Sequence, residues 1–122
     1  MPSDAGERFA RALVGKRFDE LRSVLHPKID FRALLPARVD EASSAETFIA
    51  EIAAQWFDDR DSVDELLWVE STSVPGREHV GYRLAVHNPD GRFVVEHHAY
   101  YEVTDGLITW MRCLCSGWRP AE

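Results

Sequence analysis

Cysteine is scarce: the 122 residues hold only Cys113 and Cys115. Alternate residues of a strand have Cα atoms roughly 6.5–7 Å apart, at the limit a disulfide tolerates. Both are therefore read as reduced thiols, which suits a cytoplasmic location. Basic charge is short as well, with 14 Lys and Arg against 21 Asp and Glu and a formal net charge of -7. Nucleic acid is excluded as a partner on that ground, because its phosphates are neutralised by clustered Lys and Arg. Long apolar runs are missing: the stretch 48–54 is interrupted by Glu51 and falls far below the roughly 20 residues that cross a bilayer. Membrane is excluded as a partner, and the start Met1-Pro2-Ser3-Asp4 lacks the basic and apolar regions of a secretory signal. Repeats and low-complexity linkers are also missing.

What is present is a 45% hydrophobic composition, enough at this length for one core without disulfide or metal staples. One domain over residues 1–122 is expected, with no cofactor.

Asp4 and Glu7 have capping-box spacing, and Phe9, Ala10, Ala12 and Leu13 follow as a helical apolar stripe that ends at Gly15. Phe18, Leu21 and Leu25 continue the helical period until Pro27 removes a donor. From Ile29 the pattern alternates, with Ile29, Phe31, Ala33 and Leu35 on one side, until Pro36. Ser43 to Glu46 is a second capping box, and Phe48, Ile49, Ile52, Ala53, Trp56 and Phe57 behind it predict a third helix. After Asp58-Asp59-Arg60-Asp61 the period becomes two, with turn signals at Pro75-Gly76, Asn88-Pro89-Asp90-Gly91 and Thr104-Asp105-Gly106. Four antiparallel strands are expected near 65–74, 79–87, 92–103 and 107–115. Helices ahead of a meander of long strands imply an α+β fold: three N-terminal helices on a curved, mostly antiparallel sheet, a cone-shaped roll.

Within the third meander strand Phe93, Val95, His97, Ala99, Tyr101 and Val103 share one face, taken as the inner one. A three-residue turn pairing Val103 with Leu107 sets His97 opposite Cys113, Ala99 opposite Met111 and Tyr101 opposite Thr109. Opposed Cβ atoms lie about 4.5–5.5 Å apart, so an imidazole would adjoin a thiol. Two readings stay open: an activated Cys113 beside a basic His97, or a hydrogen-bonded core histidine beside a small buried hydrophobe. The expected lining is Phe93, Val95, His97, Ala99, Tyr101, Met111 and Cys113, joined by Trp56 from the third helix and Tyr82 from the strand before. Metal is not expected. His97, Cys113 and Cys115 supply at most three soft ligands, and Asp58, Asp59, Asp61 and Asp64 lack the Gly and Glu of a calcium loop. On the other sheet face the same register opposes Tyr100 to Trp110 and His98 to Arg112, flanked by Ile108 and Leu114, a patch suited to association.

The element order resembles the nuclear transport factor 2-like superfamily, particularly its SnoaL-like branch. The resemblance rests on the paired helices over 9–25, on His26-Pro27-Lys28-Ile29-Asp30-Phe31 entering the first strand, and on the hairpin Tyr101-Glu102-Val103-Thr104-Asp105-Gly106-Leu107-Ile108. The ending Cys113-Leu114-Cys115-Ser116-Gly117-Trp118-Arg119-Pro120 also looks like a closing segment of that branch. It implies a small-molecule pocket and a homodimer formed through the outer sheet face with Tyr100, Trp110, Arg112 and His98. The superfamily holds ketosteroid isomerases, polyketide cyclases, dehydratases and epoxide hydrolases beside proteins that only bind, so fold alone does not name a reaction. Where the steroid isomerase pattern needs a Tyr, an acid and an Asp base, this chain has Phe9, Ala99 and Ala33. A lyase, isomerase or cyclase reaction on a small apolar or polyketide-like substrate would rest on His97 as general base, with Tyr101 as orienting donor and Cys113 beside it. A non-catalytic ligand-binding domain and a purely structural dimer are the alternatives.

Overall fold

Helix α1 (Ala5–Val14) buries Phe9, Ala10, Ala12 and Leu13, the stripe read from the sequence. Its cap differs from expectation: Asp4 makes no side-chain cap bond. The N–H of Gly6 donates instead to the Tyr101 hydroxyl at 3.1 Å, so a distant strand satisfies one of the open donors of the first turn. The computed structural model describes residues 3–121; Met1, Pro2 and Glu122 lie outside the described residues.

Helix α2 (Phe18–Val24) passes straight into strand β1 (Leu25–Leu35). The strand thus begins four residues before Ile29 and contains Pro27. A register shift between Leu25 and Asp30 in the pairing with β6 accommodates the imide, which has no N–H for the ladder. Strand β2 (Arg38–Ala42) was not legible in the sequence, because its Arg38-Val39-Asp40-Glu41 run is charged on both faces. It pairs antiparallel with β1 at the sheet edge, where charge is tolerated.

Helix α3 consists of three contiguous pieces, Ala45–Thr47, a π-helical stretch Phe48–Ala53, and Ala54–Trp56. Its cap is Ser44, whose hydroxyl accepts from Thr47 N–H at 3.1 Å; Glu46 does not close the expected box with Ser43 and pairs with Arg22. Phe48, Ile49, Ile52 and Ala53 are buried. Phe48 packs on Phe31 with ring centroids 4.5 Å apart and on Phe9 at 5.9 Å. This aromatic wedge fills the deep part of the roll, and truncating a buried Phe to Ala costs about 3–5 kcal/mol.

The meander is β3 (Ser62–Val74), β4 (Arg77–Asn88), β5 (Gly91–Thr104) and β6 (Leu107–Cys115), closed by the short β7 (Arg119–Pro120) on β5. The strands form one curved, unclosed sheet in an α+β fold, six of them in the order β2-β1-β6-β5-β4-β3 and the seventh, β7, off that path on β5. Only β1 and β6 run parallel. No helix among the described residues is long and apolar enough to cross a membrane.

The β5–β6 register differs from the one read above. Asp105 and Gly106 both have positive φ, 53° and 81°, which makes a two-residue hairpin turn that pairs Thr104 with Leu107. A bulge between Glu102 and Val103 then shifts the pairing again. His97 therefore opposes Cys115, Ala99 opposes Cys113 and Tyr101 opposes Met111, while on the outer face Tyr100 opposes Arg112 and His98 opposes Leu114. The bulge also turns Ile108 inward, where it is fully buried rather than part of the outer patch.

Candidate functional site

A cavity of ≈ 430 Å³ opens at one end of the roll, between the C-terminal end of α3, the β1–β2 turn, the loop after α3 and the segment after β6. Trp56, Phe57, His97 and Cys115 are its buried members; Arg38, Gln55, Asp58 and Arg60 are exposed at its mouth, with Asp61, Asn88 and Trp118 half-buried between. Trp56 ends α3 and Phe57 follows it in non-helical backbone, and both reach the cavity because it wraps the helix end. Phe57 meets Trp118 at 5.9 Å, and Trp56 meets the His97 ring edge-on at 5.1 Å.

His97 is 3% exposed and, tyrosines and cysteines aside, the only polar or charged side chain buried among the described residues. Its Nδ1 lies 2.9 Å from the Tyr82 hydroxyl, the side chain directly across the β4–β5 ladder. Burial, and secondarily the charge of His98, lowers its pKa to about 4, so the imidazole is neutral at physiological pH. Trp56 is held in turn: its Nε1–H donates to Asp40 Oδ2 at 3.0 Å, and Asp40 also pairs with Arg38 at 2.9 Å. An unbroken chain of contacts thus runs from the cavity mouth through Asp40 and Trp56 to His97 and Tyr82.

Of the residues singled out from the sequence, His97 and Trp56 line this cavity. Tyr82, Val95, Ala99, Met111 and Cys113 do not line it and lie in the packed core. Phe93 packs on Trp118 at 5.7 Å and borders a separate surface depression. Tyr101 stands toward the far end of the sheet, where its hydroxyl bonds Gly6 and Glu78. Burial and the Glu78 carboxylate push its pKa up to about 12. The Cys113 thiol is not beside the imidazole, and burial with the neighbouring Cys115 raises its pKa, which keeps it protonated. Cys115 takes the cross-strand place beside His97 and also has a raised pKa, chiefly through burial. Sequence reasoning missed Cys115, Phe57 and Trp118 as lining. The Cys-Leu-Cys spacing already set both thiols on one face, and only the register decides which one meets His97. Among the described residues no cluster of three or more His, Cys, Asp or Glu side chains is placed to hold a metal.

No protein-family model matches the chain, and no curated protein matches it by sequence. Solved structures do match. A provisionally assigned isomerase from Bacillus subtilis superposes with a TM-score of 0.73 over 93% of this chain and 87% of that one, at 9% identity. A provisionally assigned SnoaL-like polyketide cyclase from Mesorhizobium loti gives 0.62 over 90% and 95%, at 16% identity. An LEH-like epoxide hydrolase from M. tuberculosis gives 0.67 over 92% and 80%, at 16% identity. The chain has the nuclear transport factor 2-like fold. Phe9, Ala33 and Ala99 are each 1% exposed and packed as core, and none of the three lines the cavity.

Proposed function

We propose that this chain binds a small, largely apolar molecule in the ≈ 430 Å³ cavity and acts on it by an isomerase- or cyclase-type proton exchange centred on His97. The observation that carries the reading is a buried imidazole at an aromatic-walled cavity, with one ring nitrogen engaged by Tyr82 and the other without a protein partner among the described residues. Aromatic-walled pockets with a few placed polar groups, here His97 within and Asp61 and Asn88 nearer the mouth, are the usual form of small-molecule sites. The cavity also suits the size of a bicyclic or tricyclic molecule. Likeness to proteins bearing isomerase, cyclase and epoxide hydrolase names supports the class of chemistry without naming a substrate. An imidazole of low basicity serves such chemistry best beside a carbonyl, where hydrogen bonding to the oxygen acidifies the neighbouring C–H. Native mass spectrometry of the purified protein tests the reading: a co-purifying molecule lost in a Trp56→Ala variant is expected. Turnover of that molecule abolished by His97→Ala, with the fold kept, identifies an enzyme.

A second reading, binding without turnover, is favoured by one observation. Besides His97, the buried cavity members are Trp56, Phe57 and the protonated Cys115, none of which is a second acid or base. Unchanged recovery of the bound molecule after incubation with the protein would decide for that reading.

We also propose that the outer sheet face joins two copies of the chain. Tyr100 and Leu114 are 48% and 54% exposed there, next to Trp110, which is covered by the guanidinium groups of Arg77 at 4.0 Å and Arg112 at 4.6 Å, and to His98, which stacks on His79. Contiguous aromatic and aliphatic exposure of this kind marks association surfaces.

A further inference from the structure

The Tyr82 hydroxyl is fully buried and has a single hydrogen-bond partner among the described residues, Nδ1 of His97 at 2.9 Å. A neutral imidazole carries one proton, on Nδ1 or on Nε2. If Nδ1 carried it, that N–H would donate to the tyrosine oxygen and the phenolic proton would be left in the core with no acceptor, a loss comparable to an unmade hydrogen bond. If Nε2 carries it, the phenol donates to Nδ1 and every buried donor of the pair is used. Nε2 then faces the one place where a partner is missing. It is not a buried unsatisfied atom, since Ser71 Oγ is alone in that state among the described residues, and His97 lines the cavity.

We infer that Tyr82 is the positioning residue that locks His97 in its Nε2–H tautomer, so that the cavity presents a hydrogen-bond donor and selects molecules bearing a neutral acceptor, a ketone or enone carbonyl. This deepens the proposed function and rests on it for the ligand, though not for the tautomer. Where the sequence pointed to a general base, His97 in the resting protein offers a proton to a carbonyl oxygen rather than a lone pair to a C–H. Hydrogen bonding to that oxygen polarises the carbonyl and acidifies the neighbouring C–H, the electrophilic half of an isomerisation or cyclisation. An anion gains little there, since the cations at the mouth, Arg38 and Arg60, are already paired with Asp40 and Asp90. The imidazole carries no charge above pH of about 4, and the thiol of Cys115 beside it is protonated.

Two measurements test this separately. Long-range ¹⁵N–¹H correlation spectra of the imidazoles distinguish the two neutral tautomers. The wild-type protein at pH 7 is expected to show His97 as Nε2–H, and Tyr82→Phe, which removes the donor, is expected to release it to a mixture of both. His97 found as Nδ1–H in the wild type overturns the inference, and so does a Tyr82→Phe variant that folds with the tautomer unchanged. For the ligand, calorimetric binding of 2-acetylnaphthalene is compared with 2-isopropenylnaphthalene, its isostere with CH₂ in place of the carbonyl oxygen, and with 2-naphthoate. One added hydrogen bond predicts that the ketone binds about five- to tenfold tighter than the alkene, with the carboxylate weaker than the ketone and the difference gone in His97→Phe. Equal binding of ketone and alkene overturns the carbonyl selectivity while the cavity reading stands. Binding of none of the three overturns the cavity reading and the ligand class together, and the tautomer then stands or falls on the spectra.

Discussion

The hydroxyl of Tyr82 and Nδ1 of His97 meet at 2.9 Å across neighbouring strands, a side-chain hydrogen bond enclosed in the core just behind the cavity. Removing the hydroxyl by Tyr82→Phe leaves Nδ1 without its donor in a dry site. A loss on the order of 1–2 kcal/mol of stability is expected, read as a lower urea midpoint at unchanged slope.

Acid should destabilise the protein through His97. Its pKa falls from 6.5 to about 4 on folding, because burial penalises the cation and His98 adds to the effect. Between those values the unfolded chain holds the proton and the folded chain does not. The stabilisation is therefore complete above 6.5 and is lost as pH drops toward 4, by about 3 kcal/mol in all. His79, lowered by burial and by His98, contributes with the same sign. Urea unfolding between pH 7 and pH 4.5 should show the fall, and a His97→Gln variant should have a visibly shallower one.

Gly6 has no room for a methyl group. A Cβ there would stand 2.4 Å from the Tyr101 hydroxyl oxygen and 2.8 Å from its Cζ. Gly6→Ala is expected to cost about 1–3 kcal/mol through overpacking at the start of α1. Adding Tyr101→Phe should return part of that loss, since the oxygen is the closest obstacle; thermal melting of the three variants measures it.

The two thiols should differ. Cys113 is closed within the core with a raised pKa, whereas Cys115 borders the cavity. Alkylation at pH 8 is expected to proceed more slowly than with free cysteine at both, with Cys115 ahead of Cys113, as peptide mapping would show. A Cys113 that outpaces free cysteine would instead mark it as an activated nucleophile.

If the outer sheet face joins two copies, Tyr100→Glu or Leu114→Glu should shift sedimentation toward the 13.9 kDa monomer with little change in stability, since both side chains are exposed. A wild-type protein already at that mass at micromolar concentration removes the proposal.

The inner faces of the strands were legible because alternation survives any register. Val80, Tyr82, Leu84 and Val86 all turn inward as read, and so do Val95, His97, Ala99 and Tyr101. The charged edge strand β2 was not, because an edge needs no apolar pattern. Lining the cavity is a stricter condition than facing inward. It depends on how far Phe9, Phe31 and Phe48 reach into the cone, a matter of packing between segments remote in sequence.

From the sequence alone came the α+β order, the helix faces and the inward imidazole, all properties of local periodicity and residue identity. Tertiary structure decided which cysteine adjoins His97, because a two-residue turn and one bulge, each worth a single residue of register, together move the whole pairing. It also decided where the proton on His97 resides. That depends on a buried tyrosine having one acceptor and no other, which is a count of neighbours in space that no order of residues contains.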